Sequence, residues 1–347
     1  MNTLANIHEW LRFMVLRKAS DLFLTAGFPP AIKLNGKVSP ISKQTFTPAD
    51  TTLLAKALMS ERQQRDFEAT HECNFAIQVD EVGRFRVNVF QQQGRTGVVL
   101  RHINTQIPKL EELNLPSNLK DITMMPRGLV IVCGATGSGK STTLAAMIDL
   151  INREKDHHII TLEDPIEFIH PRQRCLINQR QLGFHMESFA AGLRAALRED
   201  PDVILVGEMR DLDTIQLALT VAETGLLVLG TLHTSSAPKT VDRIIDVFPT
   251  TQQAQIRTML GESLRGVVAQ NLLRRADGKG RVAALEVLIC NPAVQNLIRE
   301  GKTFQIVSVM QTGKNIGMQT MAEHVGKLLK DGVITQAEAG IYLGKME

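Results

Sequence analysis

The chain has 347 residues, of which 44% are hydrophobic and 22% charged, with a formal net charge of +3. That length suits two domains, and the composition is ordinary for a globular protein. The charge is too small to indicate a nucleic-acid binder, no apolar run reaches the roughly 18 residues of a transmembrane helix, and the start, Met1–Trp10, lacks the apolar core of a signal peptide.

Along the first hundred residues the pattern is mixed. Ile7, Trp10, Leu11, Met14 and Val15 recur at helical spacing within residues 4–18. Such a helix either packs on its own domain or meets a membrane surface or partner. Asp21–Thr25 and Pro30–Leu34 read as short strands, with Asn35-Gly36 a hairpin turn signal. Thr47-Pro-Ala-Asp50 is a helix start, with Thr as cap and Asp reaching back, and the helix should run to about Met59. Strands resume at Asn74–Val79, Arg84–Phe90 and Gly97–Arg101. Residues 1–103 are therefore expected to form an α+β domain with an antiparallel sheet. Residues 104–127, punctuated by Pro108, Pro116 and Pro126, read as a linker. From 128 to 347 apolar strands alternate with helices, which predicts an α/β domain with a mostly parallel sheet. Its strands are expected near 128–133, 158–162, 202–206, 226–231 and 281–289. Cys73, Cys133, Cys175 and Cys290 form no C-x-x-C pair, which argues against a zinc site. Cys133 and Cys290 lie in apolar runs and read as buried thiols, and nothing suggests a disulfide framework, which fits the cytosol.

The most specific motif is Gly134-Ala135-Thr136-Gly137-Ser138-Gly139-Lys140-Ser141, followed by Thr142. It matches G-x-x-x-x-G-K-[ST] between an apolar strand and a helix, the context a phosphate-binding loop requires. The glycines turn backbone N–H groups inward, Lys140 supplies a cation to the β- and γ-phosphates, and the Ser141 hydroxyl can ligate Mg²⁺. The implied ligands are ATP and Mg²⁺. Ligands of open parallel sheets bind beyond the carboxyl ends of the strands. There stand Glu163, Glu208 and His233, each just after a predicted strand. A carboxylate at such a place can orient the attacking water or hold Mg²⁺ through its hydration shell, and His233 can sense the γ-phosphate. The alternatives are solvated loop acids and a structural histidine. Arginine supplied in trans is a common way to complete such sites. The N-terminal domain offers Arg84, Arg86, Arg95 and Arg101, of which Arg84 and Arg86 share one strand face. The alternative, which pattern alone favours, is a solvated sheet face.

With these residues assembled, nearly the whole chain resembles the PilT/PilU family of type IV pilus retraction ATPases, within the secretion-ATPase superfamily. The resemblance rests on Ser20-Asp-Leu-Phe23, Gly83-Arg-Phe-Arg-Val87, the phosphate loop, Ile160–Phe168, Asn178-Gln-Arg180, Leu197–Glu208, Ala222-Glu-Thr-Gly225, Gly230-Thr-Leu-His-Thr234 and Gly317-Met-Gln-Thr320. It implies a PAS-like N-terminal domain, a RecA-like P-loop NTPase domain and a homohexamer. It also implies a place at the cytoplasmic face of the inner membrane, against a pilus platform protein, with a paralogous retraction ATPase as a further partner. It makes Glu163 the acidic-box residue that positions water, Glu208 the Walker B glutamate, His233 the histidine-box residue, and Arg86 with Arg101 the pair presented to nucleotide. One departure is Gln295, where the family's retraction motif has an arginine. The features divide between the two subtypes and lean towards PilT. Pilus-extension and type II secretion ATPases share this core but usually carry a tetracysteine insertion and a long N-terminal extension, neither of which is present. A regulatory paralogue that does not hydrolyse ATP would lack Glu163 or the loop, and both are intact.

Overall fold

The computed structural model describes residues 3–34, 37–103 and 106–343. The turn expected at Asn35-Gly36 lies outside them. Contacts divide the chain into two units, Met1–Gln106 and Ile107–Glu347.

The first unit runs α1 (Thr3–Leu16), β1 (Asp21–Thr25), β2 (Ala31–Leu34), β3 (Lys37–Pro40), α2 (Pro48–Leu58), α3 (Glu61–Thr70), β4 (Glu72–Val79), β5 (Gly83–Gln92) and β6 (Arg95–Ile103). Its strands form one sheet in the order β3-β2-β1-β6-β5-β4, with antiparallel neighbours throughout. Ile7, Leu11 and Met14 of α1 are fully buried in one core with Leu22, Leu24, Phe85, Val87 and Leu100. The helical stripe therefore packs on its own domain. Thr47 and Asp50 cap α2 reciprocally, as the sequence predicts. Helix α3 was not expected, because Phe67 is its one buried side chain and its apolar stripe is almost absent. The legible sign was its capping box, Ser60 with Gln63. Along β5, Phe85, Val87 and Val89 face the core while Arg84, Arg86 and Asn88 take the other face.

The second unit begins in the expected linker, and there the expectation needs correction. A 3-10 turn at Leu110–Leu113 and α4 (Asn118–Thr123) bury Leu110, Leu119 and Ile122 in the core of this unit. The prolines cut this stretch into short pieces, but each piece has an apolar side chain to bury. Then follow β7 (Gly128–Cys133), α5 (Lys140–Glu154), β8 (His158–Glu163), β9 (Leu176–Gln181), α6 (Phe189–Ala196), β10 (Val203–Val206), α7 (Leu212–Glu223), β11 (Leu227–Leu232), α8 (Ala237–Asp246) and α9 (Thr250–Ser263). The hairpin β12 (Leu264–Arg274) and β13 (Arg281–Ile289) comes next, and α10 (Pro292–Arg299), α11 (Ile306–Thr312), α12 (Met321–Lys330) and α13 (Gln336–Leu343) end the unit.

The sheet order is β13-β12-β7-β11-β10-β8-β9. Every neighbouring pair is parallel except β12 with β13. Alternate residues of the central strands bury to opposite faces. Leu129, Ile131, Ile204 and Val228 meet the core that includes α6 to α9, while Val130, Val132, Val203 and Leu229 meet α5. Two strands of this sheet were missed in the sequence. The edge strand β9, Leu-Ile-Asn-Gln-Arg-Gln, is too polar to read as a strand. Strand β12 follows α9 with no turn residue between Ser263 and Leu264. Residues 281–289 are therefore the antiparallel half of a hairpin, not another crossover strand.

Candidate functional site

Strand β7 delivers the glycine-rich loop to the carboxyl edge of the sheet. Gly134, Gly137 and Gly139 have φ of +150°, +78° and +91°, values that side-chain-bearing residues rarely adopt. At Gly134 a Cβ would stand 2.3 Å from the Gln270 carbonyl oxygen, so only glycine fits. Gly139 caps α5, and the helix points its first N–H groups at the loop. Lys140 is buried, and its Nζ donates to the carbonyls of Gly134 at 2.9 Å and Ala135 at 3.1 Å. Burial holds its pKa below the usual lysine value, and nearby Glu208 opposes that shift. The Ser138 hydroxyl is buried in the loop without a protein partner. A loop with inward-turned glycines, a buried cation and a spare hydroxyl fits a polyphosphate.

The three strands beside β7 bring the predicted acids to the same edge. Ser141, Glu163 and Glu208 line one cleft with Asp164, Glu167, Phe168, His170 and Thr231. Glu163 closes β8. Thr161 Oγ1 donates to its Oε1 at 2.6 Å and Gln179 Nε2 to the same oxygen at 3.1 Å. Burial raises the Glu163 pKa, and these two donors work against the rise. Glu208 follows β10, and His233, just past β11, places Nε2 2.9 Å from Glu208 Oε1. Arg210 Nε pairs with that same oxygen. The Ser141 hydroxyl and these carboxylates are hard oxygen donors of the kind Mg²⁺ takes. Among the described residues no group of three or more His, Cys, Asp or Glu side chains is placed to hold a metal ion.

Arg86 and Arg101 lie in the first unit, directly opposite each other on β5 and β6. They line a shallow hollow with Asp21, Asn74, Asn88 and Val99. Arg101 Nε donates to Oδ1 of buried Asp21 at 2.7 Å. Of the cysteines expected in the core, Cys133 is fully buried and Cys290 half-buried. Burial pushes the Cys290 thiol up to about 12. Gln295 is half-buried on α10.

Sequence reasoning passed over three residues that shape the site. Arg210 stands two positions beyond Glu208 and could have been found as a strand-end cation. Gln179 and Gln270 lie on the two strands that were not recognised. Gln270 Nε2 donates to the Ser138 carbonyl at 2.9 Å and its Oε1 accepts from Thr143 Oγ1 at 2.8 Å, which ties the phosphate loop and the first turn of α5 to β12.

Comparison with known proteins shows the family. Residues 14–339 match the family described as type II/IV secretion system protein. The chain is 49% identical to the type IV pilus retraction ATPase PilT of Pseudomonas aeruginosa over 96% of its own length and 97% of that protein. It is 46% identical to the type IV pilus ATPase PilU of the same organism, over 95% of this chain and 86% of that one. A crystal structure of the pilus retraction motor PilT with bound ADP superposes with a TM-score of 0.90 at 47% identity, covering 95% of both chains.

Proposed function

The chain belongs to the type II/IV secretion system protein family, as an ATPase of the PilT-like branch, and on that premise we propose that it is a hexameric motor that powers retraction of type IV pili. The observation that carries this reading is the convergence of Ser141, Glu163 and Glu208 on one cleft at the end of the loop that buries Lys140, in a chain that matches a pilus retraction ATPase along almost its whole length.

The loop from Gly134 to Thr142 holds the phosphates of ATP through backbone N–H groups and Lys140. Ser141, together with Glu208, would hold Mg²⁺, which would supply positive charge against the phosphate oxygens. Glu163 orients a water on the far side of the γ-phosphorus and takes up its proton. The water oxygen bonds to that phosphorus as the bond to the β–γ bridging oxygen breaks, and ADP and phosphate leave. His233, beside Glu208, reports the γ-phosphate. Arg86 and Arg101 stabilise the transition-state charge from the neighbouring subunit. ATP binding then closes a subunit interface, and hydrolysis reopens it. Successive closures turn or displace a platform protein at the cytoplasmic face of the inner membrane, and a paralogous ATPase assists.

Deleting the gene in its host tests this reading. Retraction predicts surplus surface pili and no twitching, restored by the wild-type gene but not by Lys140→Ala. Loss of pili would overturn it in favour of extension.

A further inference from the structure

Strands β8 and β9 are parallel neighbours, and their register sets Thr161 opposite Gln179. Thr161 and Glu163 lie two residues apart on β8 and so share a face of the sheet. These placements explain why two uncharged donors from different strands meet at one carboxylate oxygen, Glu163 Oε1, at 2.6 and 3.1 Å. A Glu placed only to be solvated would not need them.

Gln179 is itself immobilised. Its Nε2 also donates to the Phe168 carbonyl at 2.8 Å, and its Oε1 accepts the His170 N–H at 3.0 Å. Both ends of the amide are therefore committed, and rotating it away from Glu163 would unpair the backbone of the loop that follows Glu163. Gln181, two residues along β9, takes the Ile166 N–H at 3.3 Å. The outer strand thus grips this loop at several points.

We propose that Thr161 and Gln179 are positioning residues for Glu163, holding Oε1 so that the carboxylate keeps one orientation towards the attacking water. This rests on the water-positioning role given to Glu163 above. It assigns a function to the outer strand of the sheet: β9 aims the carboxylate from the side, while β8 carries it.

The consequence is a distinctive pH dependence. Charged and titratable groups share the cleft with Glu163: Asp164, Glu167 and His170 in the following loop, and Glu208 beyond β10. Burial and Glu167 favour the protonated carboxyl, whereas Thr161, Gln179 and the Glu167 backbone N–H favour the ionised form. Turnover needs the ionised form, so activity rises with pH through the Glu163 midpoint. Removing a donor to the charged form moves that midpoint up.

The experiment is the pH profile of single-turnover ATP hydrolysis, with nucleotide affinity measured alongside. Thr161→Val should shift the acid limb to higher pH by about one unit, and Thr161→Ser, which keeps the hydroxyl, should restore it. Gln179→Leu should shift it in the same direction and lower turnover at neutral pH by about 10-fold or more, with the dissociation constant for ATP unchanged. Rate losses equal at every pH, or Thr161→Ser behaving as Thr161→Val, would overturn the proposal. Glu163→Gln separates the two levels. If it retains full turnover, the role of Glu163 is wrong. If it is inactive while Thr161→Val and Gln179→Leu leave the limb in place, only the positioning role fails.

Discussion

Replacing Gln270 with leucine should loosen the phosphate loop from the strand beside it. The wild-type amide is buried, donates to the Ser138 carbonyl and accepts from the Thr143 hydroxyl. Leucine can fill much of the space but can do neither. An unsatisfied buried polar group costs about 1–3 kcal/mol. The Thr143 hydroxyl can turn to a carbonyl of its own helix and should lie at the low end of that range. The Ser138 carbonyl is fixed by the loop and has no such escape. The sum is about 2–4 kcal/mol, which in a unit of this size lowers the melting temperature by about 4–16 °C. Nucleotide affinity should fall as well, because the N–H groups that meet the phosphates would no longer be held in advance of binding. Thermal melts and titration with a fluorescent ATP analogue measure both effects. Adding Thr143→Val should recover about 1 kcal/mol, since it removes the stranded hydroxyl. A Gln270→Leu protein with the melting temperature and nucleotide affinity of the wild type would refute the reasoning.

Lys140→Ala should lose ATP binding and turnover together, because the loop keeps its backbone donors but loses its point charge, and equilibrium nucleotide titration checks this. Glu163→Gln should bind Mg-ATP nearly as wild type yet hydrolyse it about 100-fold more slowly or worse, which phosphate release under saturating ATP will show. Arg101→Ala should lower turnover steeply while the subunit still binds ATP, since the side chain acts on transition-state charge, and it should also lower the stability of the first unit by removing the partner of buried Asp21. Mixing Arg101→Ala with Lys140→Ala should restore part of the activity, and steady-state rates of mixed against separate preparations decide it.

Much of this protein was legible wherever function depends on a short stretch of chain. The phosphate loop can be read because glycine spacing, Lys140 and Ser141 act within one turn between a strand and a helix. The strand-end acids were legible for a related reason. Four consecutive segments end in polar residues after apolar runs, and the sidedness of parallel sheets sends all such ends to one edge. The α2 cap, set by Thr47, Pro48 and Asp50, is equally local.

What the sequence could not decide was which distant groups meet those residues. Strand β9 is polar because it is an edge, and β12 has no turn before it, so neither carries the local signature of a strand. Yet Gln179 and Gln270 sit on these two strands and hold Glu163 and the phosphate loop. Residues 104–127 looked like a connection for the same kind of reason: their prolines are local, while the core that buries Leu119 and Ile122 is not. Backbone conformation follows from neighbours in the chain. Hydrogen-bond partners follow from strand order and register, which pair Gln270 with Thr143 across 127 positions and which the tertiary structure alone fixes.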